Sequence, residues 1–420
     1  MPIRRRRTLS PEAEDTQSGA INRADAGSDV FVRDESTVLS YAVFAAYAFC
    51  LYAFGPAVAL LRSELRFSYT MVSAYSALWA AGATLVGVSF GWVSRRIDRS
   101  VVLWCSVLGT VVGATLFATA HSVALTLAAA GIIGFAGTMA QTAIQAVLSD
   151  RHGIRRDRAL IEANVGAGAC AVAAPLALGF FQGTPAGWRA GMTLPVLALA
   201  IVYLRYRRAP LPSAPVRSGP DGQRARLSIV YWLLALAVAA GMGVEVCVAY
   251  FGVELLTTTA RLSTTVAAAA MSLFYLGILV GRIIGSRLAH RPGRALSLVW
   301  ASLALTMIGI LLFWLPGIAA LALAGLLITG LGVANLFPLS LALALTAAPG
   351  RTDDANARTQ LLGGLLTMVA PVLLGALSDR LSLPTAFTVS PALVVVLALL
   401  LLASQRISHL KGGARDTPVG

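Results

Sequence analysis

The sequence predicts an all-α integral membrane protein with twelve transmembrane helices in two six-helix pseudo-repeats. Three observations predict it. First, 57% of the 420 residues are hydrophobic and only 12% are charged, against roughly 25% charge in soluble chains. A soluble globule could not hide so much apolar surface, so lipid must cover part of it. Second, apolar runs close to the ~20 residues that cross a bilayer as a helix follow one another with short basic breaks between them. Third, these runs echo one another about half a chain apart.

The elements follow in order. Residues 1–37 form a polar leader, Arg4 to Arg7 and then a stretch rich in Ser, Asp and Glu. It reads as a disordered cytoplasmic tail and not as a signal peptide, since no apolar core follows the arginines closely. Apolar runs then lie near 38–61, 70–93, 101–120, 123–148, 159–183, 189–205, 228–255, 264–288, 295–314, 317–347, 358–379 and 384–404. An even number of spans puts both termini on one side, and the basic residues say which. With the N-terminus inside, the cytoplasmic segments hold 27 of the 33 Lys and Arg residues. The opposite loops hold five, Arg62, Arg66, Arg189, Arg261 and Arg380. This imbalance orients the chain in the inner or plasma membrane with both ends cytoplasmic, and a missed span would scramble it. It also accounts for the net charge of +14 without nucleic acid as a partner.

Residues 206–227 are the longest internal break and hold Pro210, Pro212, Pro215 and Pro220. They read as a linker between bundles at 38–205 and 228–405, with 406–420 as a cytoplasmic C-terminal tail. The bundles repeat each other. LVGVSFG at 85–91 returns as LVGRIIG at 279–285, an offset of 194. Gly131, Ala140 and Gln141 return as Gly325, Ala334 and Asn335 at the same offset, and Ala174-Pro175 returns as Ala370-Pro371 at 196. Parallel repeats of this kind place a substrate site at their interface near the bilayer midplane.

The stretch Leu85–Leu103 reads as two helices joined by a tight basic hairpin, with Gly91, Arg95, Arg96, Asp98 and Arg99 at its centre. Gly87 and Gly91 are spaced for close packing of the preceding helix. The second copy has Gly285 and Arg294, with Arg287 and Arg291 between them. These residues resemble the loop between helices 2 and 3 of the major facilitator superfamily, Gly-x-x-x-Asp-Arg-x-Gly-Arg-Arg. The chain matches Gly91, Arg96 and Arg99, with Arg95 in the position of the acid and Asp98 in that of the second glycine. Gly166 to Gly168 and Ala174-Pro175 to Gly179 are similar to the helix 5 Gly-Pro motif of exporters, and Gly187-Trp188-Arg189 to an entry to helix 6. In the second half Gly243-Val-Glu245, Gly277 to Arg282 and Asn335-Leu-Phe337-Pro338 look like the fucose-permease-like and related branches. The resemblance implies the fold of the superfamily, a gating role for the two loops, and alternating-access transport. It supplies no proton site, because helix 1 has no acid and helix 4 offers only Gln141 and Gln145.

Glu245 is the sharpest chemical candidate. It sits midway along the first span of the second half, where a charge costs on the order of 2.5–3.5 kcal/mol. It must face a cavity or carry a proton, which makes it a proton-coupling candidate; the plain alternative is a hydrogen bond that pins two helices. Arg282 can pair with Glu245, bind an anion, or snorkel to the interface. Gln141, Gln145 and Asn335 can hydrogen-bond a polar solute or a neighbouring helix. Tyr47, Tyr52, Trp79, Tyr250 and Tyr275 can line a ligand cavity or fill helix seams. Glu162 and Asn164 open the fifth span and suit a helix end.

The expected function is secondary active transport of a small organic solute coupled to protons, with efflux by proton antiport as the alternative to uptake. No enzyme motif is present: there is no HExxH, GxSxG or Walker A loop. Gly166-Ala-Gly168-Ala-Cys-Ala171 spells a dinucleotide fingerprint, but no strand precedes it. His152 to Asp157 has an acyltransferase spacing in a loop too short to hold a catalytic domain. Cys50, Cys105, Cys170 and Cys247 are isolated inside apolar runs, so no metal and no cofactor is expected. The expected partners are a small-molecule substrate, protons and lipid, with the protein a monomer.

Overall fold

The computed structural model describes residues 31–209, 211, 227–289, 294–315, 317–349 and 351–413. Arg4–Arg7, most of the 206–227 linker, Arg291 and the end of the C-terminal tail lie outside them. The described residues form twelve helices long and apolar enough to cross a membrane. They are α1 (Glu35–Leu65), α2 (Tyr69–Arg96), α3 (Arg99–Thr119), α4 (Val123–His152), α5 (Arg156–Gln182) and α6 (Gly187–Tyr206). The second half has α7 (Ile229–Thr259), α8 (Thr264–Ala289), α9 (Ala295–Trp314), α10 (Ala319–Thr346), α11 (Thr352–Arg380) and α12 (Val389–Gly413). A single helical turn, Leu383–Ala386, leads into α12.

Polar residues cap several of the helices, and three of these, α1, α2 and α3, begin one to three residues before their apolar runs. Asp34, Ser68, Asp98, Ser122 and Ser228 each accept a backbone N–H from the first turn of α1, α2, α3, α4 and α7. Such caps satisfy donors that would otherwise be orphaned. We call the face carrying both chain ends the terminal face and the other the distal face.

Within the first half α1 packs on α5 and α6, and α4 packs on α2 and α3. Within the second, α7 packs on α10, α11 and α12, and α10 on α8 and α9. Across the halves α2 lies along α11 and α8 along α5. The second helix of each half thus meets the fifth helix of the other, and the two first helices, α1 and α7, meet between them. That exchange is what two copies of one bundle give when a pseudo-twofold axis runs along the membrane normal.

The halves are tied at the distal face. Arg62 of α1 donates to Glu254 of α7 at 3.1 Å, and its guanidinium lies 3.8 Å from the centre of the Tyr69 ring. The Asp379 carboxylate at the end of α11 accepts the N–H groups of Tyr69 and Thr70, both at 2.8 Å, and the Thr70 hydroxyl at 2.6 Å. An acid there also meets the positive end of α2. Ser73 donates to the Pro371 carbonyl at 2.6 Å, and Ser272 of α8 to the Val172 carbonyl of α5 at 2.8 Å. Gly55 brings the α1 backbone onto Ala249 of α7 so closely that a Cβ would lie 2.2 Å from the Ala249 oxygen.

Toward the terminal face the halves part. Thr84 of α2 still touches Gly364 of α11, but one turn further Gly87 has no atom of another helix within 4 Å, and Gly91 meets only Arg95 of its own helix. Val88 is 78% exposed. The expected close packing at Gly87 and Gly91 is therefore corrected: this part of α2 faces the open end of a cleft. Among the described residues the polar ties between the halves lie at the distal face, and α2 and α11 part toward the terminal face.

Candidate functional site

The cleft between the halves gathers four of the sequence candidates from three helices. Gly55 draws α1 onto α7, and this puts Tyr52, one turn back, beside the cleft wall of α7. Glu245 lies one turn before Ala249, the residue that Gly55 touches, so it faces the same way. On α8, Arg282 follows Tyr275 by seven residues and shares its face. The Tyr52 and Tyr275 rings meet edge-on, with centroids 4.9 Å apart. Arg282 lies close enough to act electrostatically on both the Tyr52 hydroxyl and Glu245. Glu245 and Tyr52 are half-buried, and Arg282 is exposed. No direct ion pair joins Glu245 and Arg282.

An acid and a base that face each other across a phenol, unpaired, differ from a packing contact. Each keeps donor or acceptor capacity free for a ligand. Arg282 lies on the α8 face of Tyr275, the side whose ring meets Tyr52 of α1. Tyr250, on the same helix as Glu245, stands against Phe54 at 6.2 Å.

The other candidates lie elsewhere. Tyr47 is buried against Gly137, stacked on Trp79 at 6.4 Å, with its hydroxyl 3.2 Å from that of Thr138. Trp79 is buried against Gly134. Both fill the seam of α1, α2 and α4. Gln141 is half-buried on α4, and Gln145 is exposed one turn on. Asn335 donates to the Gly281 carbonyl at 2.9 Å and fills the space above Gly285, where a Cβ would lie 2.1 Å from its Oδ1. It is a helix clasp between α8 and α10.

The basic loop is held by a cap, an ion pair and a cation–ring contact. Asp98 caps α3 by accepting the Ser100 N–H at 2.8 Å. Arg99 pairs with Asp150 at the end of α4. Arg96 lies over the Trp92 ring at 4.8 Å, and Arg95 is exposed. Arg294 precedes α9 as its cap residue. Glu162 joins three elements on the terminal face, accepting from Arg33 at 2.8 Å, Arg158 at 3.2 Å and Tyr41 at 3.2 Å. The distal ion pair Arg62–Glu254 and the Asp379 cap went unsingled in the sequence, because nothing local relates residues 192 and 310 positions apart.

An apolar groove of about 640 Å³ lies between α2, α3 and α4, lined by Val93, Val101, Cys105, Ile132 and Phe135. It holds no charged residue and stands apart from the cleft. Among the described residues no cluster of His, Cys, Asp and Glu could hold a metal ion.

Comparison with solved structures places this architecture. A bacterial homologue of the human lysosomal transporter Spinster, inward-facing and unoccupied, is 14% identical with a TM-score of 0.65, over 88% of this chain and 96% of its own. The nucleoside transporter NupG is 13% identical with a TM-score of 0.68, over 89% and 98%. Tetrameric PepTSo2 is 14% identical with a TM-score of 0.69, over 90% and 98%. At such identities the likeness shows the fold alone. No match was found among curated proteins. The sequence model of the Major Facilitator Superfamily matches residues 40–371. With that match over most of its length and with twelve helices in two exchanged halves, the chain belongs to the major facilitator superfamily and is a transporter, not an enzyme.

Proposed function

We propose that this transporter carries a small organic solute across the inner or plasma membrane by alternating access, coupled to protons through Glu245. The observation that carries the reading is the cleft cluster of Tyr52, Glu245, Tyr275 and Arg282, seated between the halves and open to one face. A carboxyl group in that position can take a proton while the cleft faces one side and lose it when the cleft faces the other. The arginine count makes the terminal face cytoplasmic, so the cleft faces inward. The bundles are read as 38–205 and 228–405, and the protein as a monomer.

Reconstitution into proteoliposomes tests this. Uptake driven by an imposed pH gradient should fall at least tenfold in Glu245→Gln, while solute exchange without a gradient survives. If gradient-driven uptake is unchanged in that variant, Glu245 does not carry the proton.

A further inference from the structure

We infer that the cleft takes a small organic monocarboxylate on Arg282 together with one proton on Glu245. This rests on the proton-coupled reading above and adds the class of the solute.

The argument is a charge count in an enclosed site. The groups that face Glu245 are Arg282 and Tyr275 of α8 and Tyr52 of α1. At the two glycines just before Glu245 the other elements packed on α7 bring apolar side chains. Gly243 meets Leu366 and Ala370 of α11 and Leu393 of α12, and Gly241 meets Leu336 of α10 and Leu397 of α12. Among the described residues Arg282 is the one charged group that acts on Glu245. The empty site thus holds one cation and one anion and is neutral. A carboxylate on Arg282 brings it to minus one, and a proton on Glu245 returns it to neutral. The empty and fully loaded forms can cross between conformations without moving net charge through the low-dielectric interior. The two half-loaded forms cannot, since net charge at that depth is disfavoured. Coupling then follows from electroneutrality, with no further device.

The chemistry of the groups fits a carboxylate. A guanidinium offers a planar fork of donors matched to two carboxylate oxygens. Arg282 is exposed, and among the described residues no ion pair or hydrogen bond occupies its guanidinium, so that fork is available. An ammonium solute would find a single acid with a cation opposite it. A neutral solute would leave Arg282 without a counter-charge whenever Glu245 is protonated. The Tyr52 and Tyr275 rings leave an aromatic wall for the solute's body.

The test uses the full-length protein in proteoliposomes, with two matched sets of solutes that differ only in their head group. One set is gluconate, glucitol and glucamine; the other is mandelate, phenylethane-1,2-diol and 2-amino-1-phenylethanol. A trapped pH dye follows protons, and labelled solute follows uptake. The expected result is that a carboxylate enters with protons at least fivefold faster than into protein-free vesicles. Its rate should follow the pH gradient and ignore a potassium diffusion potential set with valinomycin. Arg282→Gln should abolish that uptake and Arg282→Lys should restore part of it. Thermal melting of each purified variant checks that it is folded, and the wild-type panel decides the class whatever the variants do. Entry of an amine or a neutral polyol in preference to the acids overturns the inference and leaves transport standing. Carboxylate uptake driven by the membrane potential and not by the pH gradient overturns it as well. Movement of no solute in either set counts against both the inference and the reading beneath it.

Discussion

At the residue scale, Tyr52 is the informative position, because its hydroxyl stands between the two charged groups of the cleft. Replacing it with Phe keeps the ring and its 4.9 Å contact with Tyr275 and removes only the oxygen. A hydrogen bond to a charged group contributes about 1.5–3 kcal/mol. Tyr52→Phe should therefore weaken solute binding by roughly 10-fold or more, at about 1.4 kcal/mol per decade, and leave thermal stability nearly unchanged. Equal binding in the two proteins, measured by equilibrium titration, would remove Tyr52 from the site. Of the cluster itself, Glu245 and Arg282 stand out in the sequence because intramembrane charges are costly. Tyr52 and Tyr275 do not separate from Tyr47, Trp79 and Tyr250 by sequence, since every one is an aromatic in an apolar run. Only the exchange of helices between halves brings Tyr52 to Arg282, and only Gly137 and Gly134 draw Tyr47 and Trp79 into a seam.

At the element scale, the question is what holds α1 against α7. Their distal ends carry the Arg62–Glu254 pair, whose side chains are 24% and 11% exposed, and the backbone contact at Gly55. In the opposite conformation these ends must separate, and water then solvates both charges. Glu254→Gln removes the attraction only in the shut form and leaves Arg62 over the Tyr69 ring. For a partly buried pair the loss lies between the ~0–1 kcal/mol of an exposed pair and the ~3–5 kcal/mol of a buried one. The variant should raise distal opening by about 10-fold, seen as faster thiol labelling of a cysteine placed at Ser63. Gly55→Leu tests the same contact by sterics and should raise labelling further, because no rotamer of a side chain can avoid the Ala249 backbone. Labelling that stays at the wild-type rate in both variants would mean that α1 and α7 are not the distal gate. The span positions of these helices were legible from hydropathy. Their lengths were not, because α1 starts after its Asp34 cap, three residues before its apolar run, and both helices continue four residues past their runs into polar segments that a hydropathy window discards.

At the scale of the whole molecule, the two conformations must share one hinge, and the α2–α11 contact describes it. The helices run antiparallel, so each step forward along α2 moves one step back along α11. Tyr69 meets Asp379, Ser73 meets Gly375, and Thr84 meets Gly364. The contact ends there, and the register then continues on paper alone, to Gly87 opposite Leu361 and Gly91 opposite Ala357. Leu361 is 50% exposed, a Cβ at Gly87 would point into open space, and one at Gly91 would meet only Arg95 of its own helix. Rigid-body rocking of one half on the other preserves such a register while closing its open end. The glycines that look misplaced on an exposed face then become the close-approach residues of the alternate form. The repeat itself was legible from the matching offsets. Which end of the cleft stands open was not, because one sequence codes for both forms, and the small residues at 87 and 91 serve the form in which they are covered. A double variant, Gly91→Cys with Ala357→Cys, should cross-link under mild oxidation once the terminal ends meet, since a disulfide needs Cα atoms within about 7 Å. The cross-linked protein should lose uptake, regain it on reduction, and show a distal face accessible to labels that do not reach it in the uncross-linked form. A pair shifted by two residues, Gly91→Cys with Thr359→Cys, lies off the register and should cross-link more slowly. Equal rates for the two pairs would show that the halves slide as they rock and would replace the single hinge with a shear.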